Sequence, residues 1–470
     1  MRKGKDLTRG NEAKVILRFA IPMMIGNIFQ QLYNVVDAAV VGKFVGKEAL
    51  AATGVSFPIL FLLSSLVIGF AIGGTILISQ FYGAKKINEV KRTSETLQII
   101  MLIAAVAMTV IGIATSPYLF RLLNFPKENI PMAVSYFNIL MLGNIGIFGY
   151  NSLAAILRGL GDSQTPVYFL IISTILNIIF DLIFVLVFDW GVKGAAWATV
   201  ISYFIAYVVG IIYLNKKHKI ISVNLNLKFD KKIFKKILDL GLPSSGQMLL
   251  VSLGNVVIFS IINKFGTNTI AGYTAAARIN SFAIMPAMFF SNALTAFVGQ
   301  NFGAQKMDRI QRGLLSTMIM IALVSLGFTA IAEIAPGILM KLFTNDTNVV
   351  MVGLEYFKRV APFYVVFGIM FSFNALYRGL GDTMMPFYFS FISLWIVRFP
   401  AAILLAMKVT LWPIKLIPVD SNLLWWSEPM AWTTGMLLGM IYYFSKIWHK
   451  KAMKHSEKMK LKATESITKN

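Results

Sequence analysis

The chain contains no cysteine among its 470 residues, which excludes a disulfide framework and any thiolate metal site. Histidine is nearly as scarce. The three present, His218, His449 and His455, lie outside the long apolar runs, so a histidine-assisted nucleophile or a histidine-held metal within those runs is excluded. No G-x-x-x-x-G-K-S/T loop occurs, so the chain has no phosphate-cradling motif with which to hydrolyse ATP. Charge is sparse as well, at 14% of residues, while 57% are apolar. That balance excludes an ordinary soluble globular domain.

What the chain has instead is length and repeated hydrophobicity. A bilayer core takes about 20 apolar residues per helix, and stretches of that kind recur between short polar connections. They predict an all-α integral membrane protein of about twelve transmembrane helices, six in each half. The first begins near Val15 behind a basic segment; it is too long for a signal peptide and lacks a small-residue cleavage site, so it is expected to be retained. The formal charge of +23 could point to nucleic acid, but the Lys and Arg residues gather in the N-terminus, Lys85 to Arg92, Lys216 to Lys236, Lys306 to Arg312 and the tail from Lys446. These are alternate connections, which is the pattern of cytoplasmic loops. Both termini and the middle loop are therefore expected in the cytoplasm, with no nucleic-acid partner.

The chain is also written twice. Arg158-Gly159-Leu160-Gly161-Asp162 returns as Arg378-Gly379-Leu380-Gly381-Asp382, and the same register of 220 residues superimposes Gly26 on Gly246, Gly46 on Gly266 and Pro166 on Pro386. It also sets Gln80-Phe81-Tyr82-Gly83-Ala84 on Gln300-Asn301-Phe302-Gly303-Ala304. An internal repeat of this size predicts two halves of like fold, each of six spans. The expected organisation is an N-terminal lobe over 1–214, an amphipathic cytoplasmic linker over 215–240, a C-terminal lobe over 241–450 and a basic tail over 451–470. The motif aspartates read as turn residues: Arg158-Gly159 closes one helix and Thr165-Pro166 starts the next.

Chemistry concentrates in the first half. Asn27, Gln30, Tyr33, Asn34 and Asp37 stand at helical spacing on one face of span 1, and Ser173, Asn177 and Asp181 at successive fourth positions of span 5. Amides inside a bilayer often only join helices, but an intramembrane carboxylate is expensive and points to function. Thr199 in span 6 reads, by itself, as a hydroxyl that bonds its own helix. In the second half the position aligned with Asp37 is Val257, and the counterpart region of Asp181 reads Trp395-Ile396-Val397-Arg398. Its membrane carboxylates are therefore expected to be missing. Gln247 and Asn255 in span 7 and Met285 and Met288 in span 8, together with Gln30 and Asn34, are candidates to line a substrate cavity, Met being polarisable and adaptable.

These residues resemble the multidrug and toxic compound extrusion (MATE) family over nearly the whole chain: the doubled Arg-Gly-x-Gly-Asp turn, the two Gln-x-x-Gly-Ala segments, Asn177-x-x-x-Asp181, and Asp37 with Tyr33 one turn before it. The resemblance implies two six-helix bundles with alternating access. It also implies a cation-coupling site at Tyr33, Asp37, Asn177, Asp181 and Thr199, and a hinge at Pro22 in the first helix. The implied function is a monomeric plasma-membrane antiporter, not an enzyme, exporting lipophilic organic cations in exchange for H+ or Na+. It would need no cofactor, no ATP and no metal beyond that Na+. Two carboxylates in a low-dielectric site are not both cheaply charged, so the pair is expected to hold a shared proton or a sodium ion. The alternative within the wider superfamily is a flippase for lipid-linked oligosaccharides. A pyrophosphate cargo calls for a basic cavity, and only Arg278 and Arg398 are intramembrane candidates for one.

Overall fold

Apolar runs long enough to cross a bilayer must satisfy their backbone internally, and here they do so as helices. The computed structural model describes residues 5–123, 125–217, 228–411 and 414–454. In the first half α1 (Glu12–Val40) runs on into a π-helical turn, Val41–Val45. It is followed by α2 (Lys47–Gly83), α3 (Ile87–Leu122) and α4, which is in two pieces, Ile130–Leu142 and Asn144–Gly159. Next come α5 (Gln164–Asp181), prolonged by the π-helical turn Leu182–Val187, and α6 (Gly191–Lys217).

The second half repeats the plan. It has α7 (Lys231–Ile262), α8 (Thr267–Gly303), α9 (Met307–Ile334) and α10, again in two pieces, Thr347–Val360 and Tyr364–Leu380. In α11 the runs Met384–Phe391 and Phe399–Ala406 flank a π-helical stretch, Ile392–Arg398. An antiparallel hairpin that the sequence did not announce, β1 (Met407–Leu411) and β2 (Ile414–Pro418), leads to α12 (Ser427–Phe444). A last helix, α13, covers 447–454. Ten helices among the described residues are long and apolar enough to cross a membrane, eleven with the two pieces of α4, which meet at 46°. α12, 18 residues long, is less apolar and is not among them.

The chain packs as two units, one running through Arg18–Ser245 and the other from Gly246 onward together with Thr8–Leu17. In the first, Leu77, Ile78, Leu97 and Ile156 join α2, α3 and α4, while Leu153, Phe169 and Leu214 join α4, α5 and α6. In the second, α8, α9 and α12 pack around α10. Large apolar side chains point outward, Ile334 at 84% exposure and Leu404 at 75%, as hydrocarbon surroundings permit. The residues 231–240, expected to belong to a separate surface linker, are instead the opening turns of α7, which passes through Pro243 without a break. Of the rest of that linker, 215–217 close α6 and 218–227 lie outside the described residues.

The repeated motif has a packing reason. A Cβ on Gly159 would stand 2.7 Å from Ile78 Cγ2 and 3.1 Å from the Thr75 carbonyl; one on Gly379 would stand 2.6 Å from Val298 Cβ and 2.8 Å from the Thr295 carbonyl. Those neighbours are themselves 220 residues apart. The same contact is tied by Thr75 Oγ1 donating to the Ala155 carbonyl (3.1 Å) and Thr295 Oγ1 to that of Ala375 (3.4 Å). The second glycine of each motif is left-handed, φ +83° at Gly161 and +91° at Gly381, and ends the helix. Asp162 then caps α5: its Oδ1 accepts from the Gln164 and Thr165 amides, and its Oδ2 from Thr165 Oγ1 at 2.6 Å.

α3 runs on through Pro117 to Leu122, with Ser116 Oγ 3.1 Å from the Ile113 carbonyl that the proline leaves free. The turns after α2 and α8 put Lys85 (φ 58°) and Gln305 (φ 60°), not glycine, in the left-handed conformation. α4 breaks at Gly143, where a Cβ would sit 2.4 Å from Val200 Cγ2. Thr109 Oγ1 donates to the Met141 carbonyl exposed by that break (2.5 Å), as Thr329 Oγ1 does to Ala361 (2.7 Å) at the break in α10.

Candidate functional site

Five of the residues singled out in the first half come together from three helices. Asp37 comes from the last turns of α1, Asn177 and Asp181 from α5, and Thr199 from α6. Asp181 and Asn177 are buried, at 0% and 2% exposure, while Asp37 is partly so. The carboxylates of Asp37 and Asp181 are neighbours that act on each other electrostatically. Tyr33 Oη and Thr199 Oγ1 are 3.1 Å apart. Asn177 bridges the two sides: with its amide nitrogen toward Asp181 it donates to Oδ2 at 3.2 Å and accepts from the Thr199 amide at 3.2 Å. Turned the other way it donates to Thr199 Oγ1 at 3.4 Å; the first orientation satisfies both ends and lets the Asp181 carboxylate accept from an amide N–H.

Two oxygens, Asp37 Oδ1 and Asp181 Oδ1, are buried without a hydrogen-bond partner. Orphaned acceptors on neighbouring carboxylates are costly. A proton between the two groups, or a hard cation taking oxygens from Asp37, Asp181, Tyr33, Thr199 and Asn177, would relieve both. No group of three or more His, Cys, Asp or Glu occurs among the described residues, so the donor set is not one of the usual multivalent metal centres. The π-helical turn directly after Asp181 interrupts the regular ladder beside the site, a place where such turns gather.

The other candidates make contacts of their own. Gln30 Nε2 donates to Tyr203 Oη at 3.4 Å, and Asn34 Nδ2 to Gln31 at 3.4 Å. In the second unit Gln247 Nε2 donates to Ser390 Oγ at 2.7 Å, Asn255 and Met288 are exposed, and Met285 is partly buried. Pro22 lies within a single continuous α1.

Sequence reasoning missed two features. Tyr136 in α4 stands within electrostatic reach of both Asp37 and Asp181; its recurrence as Tyr356 in the 220-residue register was the available signal. The second half, moreover, does hold a buried carboxylate. Glu428, from the first turn of α12, pairs with Arg398 Nη2 at 3.3 Å and accepts from Tyr356 Oη at 3.0 Å, the pair being 10% and 13% exposed. It escaped notice because it sits at a helix start, beyond the hairpin that breaks the repeat register.

The family model MatE matches residues 22–183 and again 243–404, one copy per half. The chain belongs to the MATE family. It is 30% identical over 398 residues to the probable multidrug resistance protein YpnP of Bacillus subtilis, covering 85% of this chain and 89% of that one. To YoeA of the same organism, also named a probable multidrug resistance protein, it is 30% identical over 442 residues, 92% and 93% of the two chains. Among solved structures, a MATE crystallised in the bent conformation superimposes with TM-score 0.88 at 26% identity, over 97% of this chain and all of that one. The expected fold, two bundles of six membrane helices, is thus that of the family, and this MATE protein is a transporter and not an enzyme.

Proposed function

We infer that this MATE protein is a cation-coupled multidrug antiporter, exporting lipophilic organic cations across the plasma membrane, with Asp37 and Asp181 as its coupling pair. The observation that carries the reading is the meeting of these two carboxylates from α1 and α5, each with a buried oxygen lacking a partner. Such a pair changes its preferred partner with occupancy: one proton or one sodium ion removes the repulsion, and its loss restores it. Tyr33, Asn177 and Thr199 hold the pair in place. Filling the site favours one arrangement of α1, whose bend at Pro22 is eased by the missing amide hydrogen, and that arrangement releases substrate on the outer side. The two Bacillus subtilis relatives, named as probable multidrug resistance proteins, support the substrate class.

The flippase reading is weakened by Arg398, which is committed to Glu428 and so brings no net charge for a pyrophosphate. The deciding experiment is transport in proteoliposomes with a pH gradient and a sodium gradient imposed separately. Uphill movement of a lipophilic cation under one of them supports the reading; no response to either, together with binding of anionic glycolipid, replaces it with the flippase.

A further inference from the structure

Where the C-terminal lobe carries its copy of the motif, the chain builds a second carboxylate site for which the coupling reading has no use. A cavity of about 210 Å³ is lined by Tyr377, Asp382, Trp448, Lys451 and the Leu380–Gly381 turn. Asp382 Oδ2 accepts from Tyr442 Oη at 2.7 Å and from Lys451 Nζ at 3.2 Å. That ammonium also lies 5.6 Å from the centre of the Tyr442 ring, which meets the Tyr377 ring edge-on at 5.0 Å. Tyr377 spends its hydroxyl on the Gly439 carbonyl (2.6 Å) and Trp448 its indole N–H on that of Tyr443 (2.8 Å). Both therefore offer the cavity ring surface and no competing donor. A carboxylate beside electron-rich rings is the chemistry that recognises alkylammonium groups.

The group now held there is an ammonium of the chain itself. α13 seats Trp448 and Ala452, each 4% exposed and one turn apart, against the lobe, and this brings Lys451 over Asp382. The lysine side chain is 51% exposed and the aspartate 20%, so the ion pair is screened and readily exchanged. We propose that Asp382, Tyr442, Tyr377 and Trp448 form a second cation subsite that takes the ammonium head of a small organic cation, and that Lys451 fills it as a tethered plug which such a cation displaces. The subsite shares no residue with the Asp37–Asp181 pair and its test needs no transport, so its failure would leave the coupling reading untouched.

The absence of native cysteine makes the test direct. The full chain carrying Lys451→Cys is treated with methanethiosulfonates bearing either a trimethylammonium or a sulfonate group, and Lys454→Cys, one turn of basic surface away, serves as the control. The cationic reagent should react at least tenfold faster than the anionic one at position 451, relative to the same ratio at 454. Adding Asp382→Asn or Tyr442→Leu should return the ratio to the control value. Tetramethylammonium should slow the cationic reagent at 451 and not at 454, a measurement that needs no second variant. Equal ratios at the two positions, or no protection by tetramethylammonium, would overturn the proposal.

Discussion

Asp162 and Asp382 occupy the same place in the two copies of the motif, yet their Oδ2 atoms serve different partners. Asp162 Oδ2 accepts from Thr165 Oγ1 at 2.6 Å, three residues along its own turn, whereas Asp382 Oδ2 accepts from Tyr442 Oη at 2.7 Å, sixty residues along the chain. The first bond belongs to a helix start and the second to the packing of α12. Replacing Asp162 by Ala should therefore cost about 1 kcal/mol, the usual worth of an N-terminal cap, while Asp162→Asn keeps most of it. Thermal unfolding of the purified protein would show the order wild type, Asn, Ala.

The motif glycines should tolerate even less. Gly379→Ala would drive a methyl group to 2.6 Å from Val298 Cβ and 2.8 Å from a backbone carbonyl, and backbone cannot rotate aside. Overpacking of this kind costs about 1–3 kcal/mol, and Gly159→Ala should match it in the other lobe. A melting temperature unchanged in both variants would contradict the packing account of the motif.

Coupling predicts opposite pH slopes for the two ions. If the Asp37–Asp181 pair carries a proton, gradient-driven efflux falls as external pH rises, because fewer pairs are protonated from outside. If it carries sodium, efflux driven by sodium falls as external pH drops, because protons compete for the same oxygens. Asp37→Asn or Asp181→Asn should abolish accumulation against a gradient and flatten either slope, while substrate binding persists. Thr199→Val, which strips Tyr33 of its 3.1 Å partner, should weaken coupling by about tenfold, the equivalent of one lost buried hydrogen bond of about 1.4 kcal/mol. Uphill transport surviving in the double aspartate variant would move the site elsewhere.

Arg398 and Glu428 should behave as a stability element of the second half. Removing one partner strands the other charge in an apolar interior, at a cost of about 3–5 kcal/mol. Arg398→Met and Glu428→Leu together should recover most of that loss, since neither charge is then left alone. Comparing the melting temperatures of the two single variants with the double one measures the coupling between them.

Much of this molecule was legible in order along the chain. Length, hydropathy and the 220-residue register determined the helical spans and their doubling, because membrane crossing and repetition are properties of consecutive residues. Helical spacing likewise put Tyr33 with Asp37 and Asn177 with Asp181, since three and four residues make one turn. Only the tertiary structure decided that the two stripes face each other, that Tyr136 stands beside them, that Glu428 answers Arg398 and that Lys451 covers Asp382. Lys451 and Asp382 are 69 residues apart and Tyr356 and Glu428 are 72. No local period encodes such pairs; they exist because packed helices bring distant side chains into an interior where an unpaired charge or donor is too costly to leave.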